Sequence, residues 1–407
     1  MGEKLLQVRD LRVSYYTYAG EVQSVRGISF DVEKGETVAI VGESGCGKSV
    51  TAKSIMRLIA DPGKIKEGSA ITLDGRDVLA MGGKELRSYR GAECAMIFQD
   101  ALTSLDPTMK VGKQIAEVLT VHGMASKREA AAKAVELLRQ VGIPNPERRA
   151  QEYPHQFSGG MRQRAMIATA LACGPKLLIA DEPTTALDVT IQAQIIDLMK
   201  QMQKEMNAAI LLITHDLGVV ADIARRICVM YSGKIVERGS ADDIFYRPRH
   251  PYTMALLSAV PRLDLENKEH LASIEGTPPD LLKPPAGCPF CTRCKYCMPI
   301  CQEEMPESTD FGGGILHAGA AGVILADKPS GGRIRGNAAV IVGAGVRQND
   351  EKPVLCGGTL HKMAGASKGK SVPVPASGEI SENLLRTAFA CPVIVHKPLH
   401  NRASPDA

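Results

Sequence analysis

Eight residues early in the chain have the order of a phosphate-binding loop. GESGCGKS, from Gly42 to Ser49, fits G-x-x-x-x-G-K-[ST] and lies between the strand-like run ETVAIV and the helical run VTAKSIMRLI. In that setting the glycines let backbone N–H groups face phosphates, and the following helix adds positive potential. Lys48 would reach the β- and γ-phosphates, and the Ser49 hydroxyl would bind Mg²⁺. The residues predicted to bind the nucleotide here are Gly42, Glu43, Ser44, Gly45, Cys46, Gly47, Lys48, Ser49 and Val50.

Two adjacent carboxylates end a second apolar run, LLIADEP. Asp181 closes the predicted strand, so its side chain can help to hold a metal ion. Glu182 follows it and could orient and deprotonate an attacking water. Paired acids at a strand end also occur in solvated turns, but here a phosphate loop accompanies them. The two patterns together predict hydrolysis of the bound nucleotide.

The segment CPFCTRCKYCMPIC holds five of the chain's eleven cysteines. Its spacing includes the C-x₂-C-x₂-C-x₃-C of bacterial ferredoxins, although Gln302 stands where those proteins have proline. In a reducing compartment clustered cysteines more often bind metal than form disulfides. We favour a [4Fe–4S] cluster, with a zinc ion or metal-free thiols as alternatives. The candidate ligands are Cys288, Cys291, Cys294, Cys297 and Cys301.

Composition and charge argue against several classes of protein. The N-terminal run MGEKLLQVRDLRVSYY carries charges among its apolar residues and does not resemble a signal peptide, and no apolar run reaches about 18 residues. The net charge of +4 comes from the end of the chain. The first 310 residues hold 38 basic and 39 acidic residues, so a basic nucleic-acid-binding surface is not expected. The sequence predicts a cytosolic protein that does not bind nucleic acid.

The motifs lie on a chain with three zones. Residues 1–240 alternate buried strands with amphipathic helices, which is typical of an α/β domain, and a mostly helical stretch runs from about 100 to 160. Residues 241–307 are Pro-rich and end in the cysteine segment. Residues 308–407 are rich in Gly and Ala with little periodicity. For this tail we consider a changed reading frame, giving non-native sequence, and a genuine disordered or poorly packed appendage.

Between the loop and the two carboxylates stands FSGGMRQR, from Phe157 to Arg164. With this segment the chain resembles the ATP-binding subunits of ABC transporters, whose signature is L-S-G-G-Q. The resemblance implies a P-loop NTPase fold with a RecA-like core, an antiparallel β subdomain and a helical signature subdomain. It also implies that the signature touches the ATP held by an opposing subunit. The signature residues are Ser158, Gly159, Gly160 and Met161.

Four further residues match the family in order along the chain. Tyr15 would stack on adenine, although Tyr16 and Tyr18 stand nearby. The family's pattern places Gln99 at Mg²⁺ and the attacking water, and Asp188 at the interface between two ATPase subunits. It places His215 beside the γ-phosphate and Glu182. The implied catalytic residues are Glu182, His215, Gln99 and Lys48, and the implied Mg²⁺ ligands are Ser49, Gln99 and Asp181.

Cys46 departs from this branch of the family, which commonly has serine at that position of the loop. A thiol at a helix N-terminus can have a lowered pKa and become oxidisable. We therefore consider redox inhibition through Cys46 as a hypothesis.

The resemblance narrows at RHPYTMALLSAVPRLD and EGTPPDLLKPPAGCPF, which look like the C-terminal extension of dipeptide/oligopeptide importer ATPases. In those relatives the positions of Cys288, Cys294 and Cys301 belong to the metal cluster. The segment that supplies their fourth cysteine has no counterpart after His317, and the next cysteine is Cys356. Cys291 or Cys297 could supply the missing thiolate.

The resemblance implies an ATP-hydrolysing subunit on the cytoplasmic face of the membrane, attached through its partners. These would be a homologous second ATPase, two membrane-spanning permeases and an extracytoplasmic binding protein. Import of dipeptides or oligopeptides is the expected function, with nickel or another small solute as the alternative cargo. A DNA-repair ATPase and an iron–sulfur redox protein are less favoured. The short span from Lys48 to Ser158 leaves no room for a long coiled coil, and the ATPase motifs are complete.

Overall fold

The structure is a computed structural model. In the part of the chain that it describes, no helix is both long and apolar enough to cross a membrane. Most of the tail beyond residue 307 lies outside the described residues. The two interpretations of the tail, a changed reading frame and a genuine appendage, therefore stay predictions. The described ranges are 2–185, 187–260, 274–306, 308–310, 316–318, 346–349, 352–355, 360–361 and 371–372.

An antiparallel sheet opens the fold. Its long strands β1 (Lys4–Thr17) and β2 (Gly20–Glu33) pair along most of their length. A bulge between Val8 and Leu11 adds one residue to β1 and so keeps its apolar side chains on the buried face. The short strands are β4 (Gly63–Ile65), β5 (Ala70–Leu73) and β6 (Arg76–Asp77). The sheet has the order β2-β1-β5-β6, with β4 also paired to β1.

A second, mostly parallel sheet positions the nucleotide motifs. Its strands are β3 (Thr37–Val41), β7 (Cys94–Ile97), β8 (Leu177–Asp181), β9 (Ala209–Thr214), β10 (Arg226–Tyr231) and β11 (Lys234–Ser240). Five of them run parallel in the order β10-β3-β9-β8-β7, and β11 pairs antiparallel to β10. Every residue of β3, β8 and β9 is buried, as expected for parallel strands covered on both faces.

The predicted helical stretch lies between β7 and β8. It includes α5, which starts with a capping box in which Ser126 and Glu129 satisfy each other's backbone N–H groups. Its helices are α3 (Ala101–Ser104), α4 (Val111–Val121), α5 (Lys127–Gln140), α6 (Pro146–Arg149), a 3₁₀ turn at Pro154–Gln156 and α7 (Gly159–Leu171).

The remaining elements flank the sheets or follow them in the chain. The helices are α1 (Lys48–Ile55), α2 (Gly83–Ala92), α8 (Val189–Met206), α9 (Leu217–Ile223), α10 (Ala241–Tyr246), α11 (Pro251–Ser258), a 3₁₀ turn at Cys291–Arg293 and α12 (Pro299–Glu303). The strands are β12 (Ser308–Asp310), β13 (Leu316–Ala318), β14 (Val346–Asn349), β15 (Lys352–Leu355), β16 (Leu360–His361) and β17 (Ser371–Val372). Of these, β13 pairs with β11 and extends the second sheet.

The C-terminal extension shares a hydrophobic core with the parallel sheet and the helical stretch. Tyr252, Phe290 and Cys301 are buried in the same apolar cluster as residues of α4, α7 and β8. The rings of Tyr231, on β10, and Phe290 meet edge to face with centroids 5.3 Å apart. The extension is therefore packed onto the ATPase part of the chain.

Candidate nucleotide-binding and hydrolysis site

The phosphate loop has a shape that requires glycine at two positions. It joins the end of β3 at Val41 to the start of α1 at Lys48. A Cβ on Gly42 would lie 2.1 Å from the carbonyl oxygen of Met230, and one on Gly47 would lie 2.5 Å from that of Ser24. Gly47 also has a φ of +106°, where side chains are disfavoured. The sequence thus places backbone N–H groups at a helix N-terminus, the setting that binds phosphate.

Lys48 is folded back into this loop. Its side chain is only 4% exposed, and Nζ donates hydrogen bonds to the carbonyl oxygens of Gly42 at 2.8 Å and Glu43 at 3.0 Å. Both acceptors are neutral carbonyl oxygens, so an anionic phosphate would add a charged partner for the ammonium group.

Ser49 and Asp181 meet in front of the loop. The Ser49 hydroxyl donates a hydrogen bond of 2.9 Å to Asp181 Oδ1. Burial raises the pKa of Asp181, and the nearby Glu182 carboxylate adds to the rise, while Ser49, Lys53 and Lys48 oppose it. A hydroxyl and a buried carboxylate in contact are ligands that Mg²⁺ accepts, and a bound cation would favour the ionised carboxylate. The residues present therefore fit a Mg²⁺ ion.

Glu182 lies at the meeting point of three polar side chains. Gln99 Nε2 donates to its Oε2 at 3.0 Å, as does Thr185 Oγ1 at 2.9 Å, and His215 Nδ1 lies 3.4 Å from its Oε1. Its backbone has a φ of +49°, uncommon for a residue with a side chain, and its N–H donates to the Ile213 carbonyl of β9. Strained backbone of this kind clusters at functional sites. Gln99, Glu182 and His215 are thus brought together.

Tyr15 occupies a half-buried position on β1. It pairs with Val22 of β2, two residues before Ser24, whose carbonyl lies against Gly47 of the phosphate loop. Tyr16 and Tyr18 are exposed. Tyr15 is therefore near the loop side of the antiparallel sheet, and adenine stacking by it stays a prediction.

The signature residues form the start of α7. The Ser158 hydroxyl accepts a hydrogen bond from the Met161 N–H at 3.3 Å and caps the helix, while Phe157 before it is buried. Ser158 and Gly159 are exposed, and a Cβ on Gly159 would meet nothing within 4 Å. Within the described residues no hydrogen bond links Ser158 to the phosphate loop of the same chain. The helix N-terminus is thus open to a partner.

Asp188 caps a neighbouring helix. Its Oδ1 accepts a hydrogen bond of 2.9 Å from the Ile191 N–H at the start of α8. A Cβ on Gly160 would lie 3.1 Å from Ile191, so the first turns of α7 and α8 are in contact. The capping role is structural, and a place for Asp188 at a subunit interface stays a prediction.

The thiol of Cys46, to which the redox hypothesis refers, is buried. Its side chain is 5% exposed, and burial raises the pKa of the thiol although Lys48 partly opposes the rise. Burial thus opposes the lowered pKa on which the hypothesis depends, and redox inhibition through Cys46 stays a prediction.

The cysteine segment is arranged differently from a four-thiolate cluster. Cys291 and Cys297 are joined in a disulfide, while Cys288, Cys294 and Cys301 are free. Burial raises the pKa of the Cys288 thiol to about 11. Among the described residues no group of three or more His, Cys, Asp or Glu side chains is placed to hold a metal ion. The described residues therefore hold no assembled metal site here, and the iron–sulfur cluster stays a prediction from the cysteine spacing.

Comparison with known proteins decides the family. A model described as ABC transporter matches residues 25–185, and one described as oligopeptide/dipeptide transporter, C-terminal region, matches residues 236–301. The oligopeptide transport ATP-binding protein OppD of Bacillus subtilis is 58% identical over 304 residues, which cover 74% of this chain and 85% of that protein. This chain belongs to the ABC transporter ATP-binding family. It is an ATP-hydrolysing subunit of a transporter, as the resemblance implied.

Other relatives of this ABC ATPase agree. The dipeptide transport ATP-binding protein DppD of Bacillus subtilis is 55% identical, with 75% of this chain and 91% of that protein covered. A solved dimer of the ATP-binding cassette MJ0796, with ADP and Pi bound, is 26% identical with a TM-score of 0.53. That match covers 58% of this chain and 99% of the cassette. The predicted ABC ATPase fold is confirmed.

Three residues at the site of this ABC ATPase escaped the sequence analysis. Thr185 lies three residues after Glu182, and the PTT run could have suggested it. Tyr252 accepts a hydrogen bond of 2.9 Å from the Glu43 N–H, and Arg293 forms an ion pair with the Glu43 carboxylate. Both stand more than two hundred residues from Glu43, so local spacing carries no signal for them.

Proposed function

We propose that this ABC ATPase energises the import of dipeptides or oligopeptides across the cytoplasmic membrane. The C-terminal region carries the proposal, because residues 236–301 match the model described as oligopeptide/dipeptide transporter, C-terminal region. The names of the relatives OppD and DppD support peptides as cargo. Nickel or another small solute is the alternative.

The site residues are assigned roles from their contacts. The loop N–H groups and Lys48 bind the β- and γ-phosphates of ATP, and Tyr15 stacks on adenine. Ser49, Asp181 and Gln99 would hold Mg²⁺, which when bound neutralises charge on the phosphate oxygens. Glu182 accepts a proton from the attacking water, and its contacts with Gln99, Thr185 and His215 orient the carboxylate for this.

The exposed signature helix leads to the proposed assembly. Its N-terminus would complete the nucleotide site of a second, homologous ATPase, with Asp188 at the interface between the two. Among the described residues of one chain no hydrogen bond joins its own signature to its phosphate loop, and the solved cassette MJ0796 is a dimer. Two membrane-spanning permeases and an extracytoplasmic binding protein complete the transporter, with this subunit peripheral at the cytoplasmic face.

An iron–sulfur cluster remains a prediction of the cysteine spacing alone. Because Cys291 and Cys297 are bonded to each other, no step of the proposed cycle involves a metal in this segment. Iron and sulfide analysis of anaerobically purified protein tests it. Zinc without iron or sulfide would rule the cluster out.

The substitution Glu182→Gln tests the ATPase assignment. The amide keeps the size of the side chain but cannot accept the proton, so ATP should still bind and turnover should fall about a hundredfold or more, the usual contribution of a general base. ATP should also trap the variant as a closed dimer, seen by light scattering or gel filtration. Thr185→Val, which removes one hydrogen bond to the same carboxylate, should lower turnover less. Unchanged turnover in Glu182→Gln would remove this residue from its role.

Uptake by the assembled transporter in proteoliposomes tests the cargo. ATP-dependent uptake of a labelled dipeptide or oligopeptide is expected with the wild-type chain and not with Glu182→Gln. Uptake of nickel in place of peptide would select the alternative.

A further inference from the structure

We propose that Arg293, in the middle of the cysteine segment, is a positioning residue of the nucleotide site and acts through Glu43 of the phosphate loop. The inference rests on the nucleotide site proposed above and adds a residue to it. It assigns the C-terminal extension a part in ATP binding.

The contact between the two residues is a fork-to-carboxylate ion pair. Arg293 Nη1 lies 2.7 Å from Glu43 Oε2, and Nη2 lies 3.1 Å from Oε1. Paired bonds of this kind fix direction as well as distance. The arginine side chain is 5% exposed and that of Glu43 is 25% exposed, so the pair is shielded from water far better than a surface ion pair.

Arg293 is itself held in place by several groups. Its Nε donates to the carbonyl oxygen of Glu275 and its Nη2 to that of Ile274, both at 2.9 Å. Nη1 also reaches the Tyr231 hydroxyl at 3.1 Å. An arginine with this many fixed partners presents its fork in one orientation, so it can hold Glu43 rather than follow it.

Glu43 links Arg293 to Lys48, the lysine proposed to bind phosphate. Its N–H donates to the Tyr252 hydroxyl at 2.9 Å, and its carbonyl accepts from Lys48 Nζ at 3.0 Å. The carboxylate is thus held by Arg293 and the backbone by Tyr252, both from beyond residue 240. The loop segment next to Lys48 is therefore fixed from the extension.

Charge gives the pair a second effect. Glu43 places a carboxylate in a loop whose task is to bind a polyanion, and an unpaired negative charge there would repel phosphate. The guanidinium neutralises it at bonding distance. Loss of Arg293 should therefore weaken ATP binding twice, through a freed loop and through an exposed negative charge.

The test compares full-length variants for affinity toward a fluorescent ATP analogue and for KM and kcat of ATPase. Arg293→Gln should raise Kd and KM about tenfold, within the range of couplings inside one hydrogen-bond network, with a smaller change in kcat. Arg293→Lys keeps the charge but loses the fork, so its affinity should be intermediate. Adding Glu43→Gln to Arg293→Gln should restore part of the lost affinity, because it removes the repelling charge.

Arg26→Gln is the matched control. Arg26, on β2, donates to the Pro285 carbonyl oxygen of the same extension at 2.9 Å, and its side chain has no described bond to the phosphate loop. Its KM for ATP should stay at the wild-type value, although thermal stability falls. A Tm loss in Arg293→Gln without the rescue by Glu43→Gln would show a merely structural role and overturn the inference, as would wild-type affinity in Arg293→Gln. Failure of the wild-type chain to bind the analogue would instead overturn the nucleotide site itself.

Discussion

At the scale of a single residue, the ionised carboxylate of Asp181 lowers the stability of the fold while it is placed to bind a cation. Its carboxyl is 3% exposed and next to Glu182, and both conditions disfavour its ionised form. Ser49 and the nearby lysines compensate only in part, so the pKa stays raised. Such a group favours folding when protonated and opposes it when ionised. A bound cation in contact with the carboxylate would stabilise its ionised form and so remove this destabilisation.

The first prediction concerns Asp181→Asn. The amide can still accept the hydrogen bond from Ser49 but carries no charge, so the unliganded protein should melt higher at neutral pH. A gain of about 2–4 °C would correspond to about 1 kcal/mol in a domain of this size. The ATPase should be lost, because Mg²⁺ has lost an ionised ligand.

The pH dependence of the gain in Tm distinguishes two causes of that gain, the removal of the Asp181 charge and better packing. A carboxyl whose folded-state pKa is raised loses its destabilising charge as the pH falls through that pKa. The gain in Tm of Asp181→Asn over the wild type should therefore shrink toward zero in acid. An equal gain at every pH would mean that charge is not the reason. Differential scanning calorimetry across pH measures this.

At the scale of elements, two helices of the helical stretch start with the same cap for different purposes. Ser126 begins α5 within a capping box, and Ser158 begins α7 with a single bond to the Met161 N–H. Both caps stabilise their helices, but only the α7 start belongs to the signature. Phe157, buried just before it, anchors the exposed end.

The second prediction compares Ser158→Ala with Ser126→Ala. Each should cost about 1 kcal/mol, the usual value of an N-cap, as measured by urea unfolding. Only Ser158→Ala should also abolish ATP-dependent dimerisation and lower turnover, because its hydroxyl and helix N-terminus are proposed to face a partner's phosphate. Equal loss of dimerisation in both variants would trace the effect to stability.

Elements with a regular pattern could be predicted from the sequence, and single residues outside it could not. The helix of SKREAAAKAVELLRQVGI forms α5 almost as expected, because its spacing and Gly stop are local signals. The buried strands β3, β8 and β9 follow from their apolar runs. The burial of Cys46 did not follow, because it depends on surroundings assembled from distant parts of the chain.

For the whole molecule, the extension and the ATPase part form one packed body. Phe290, Cys288 and Cys301 are buried in the core that also holds the helical stretch. A boundary at residue 240 therefore marks a change in amino-acid composition, but residues on both sides of it belong to one hydrophobic core. The sequence showed the change in composition but gave no sign of the contacts that cross it.

The third prediction concerns shortened chains. A chain ending at residue 318 keeps the whole extension, the strand β13 that pairs with β11 and the strand β12 that pairs with β13, so it should match the full chain in melting temperature and ATP affinity. A chain ending at residue 260 loses Phe290 and its neighbours, and loss of one buried aromatic side chain alone costs about 3–5 kcal/mol. It should melt lower and bind ATP more weakly. Equal melting of the two shortened chains would contradict the shared core.

The close approach of Gly42 to the Met230 carbonyl has a consequence for the order of synthesis. The phosphate loop is translated early, but the strand that supports it, β10, leaves the ribosome much later, and Arg293 later still. ATP therefore finds no finished pocket on a nascent chain until most of the polypeptide has emerged. The antiparallel sheet can form before then, because its own strands are all complete by residue 77.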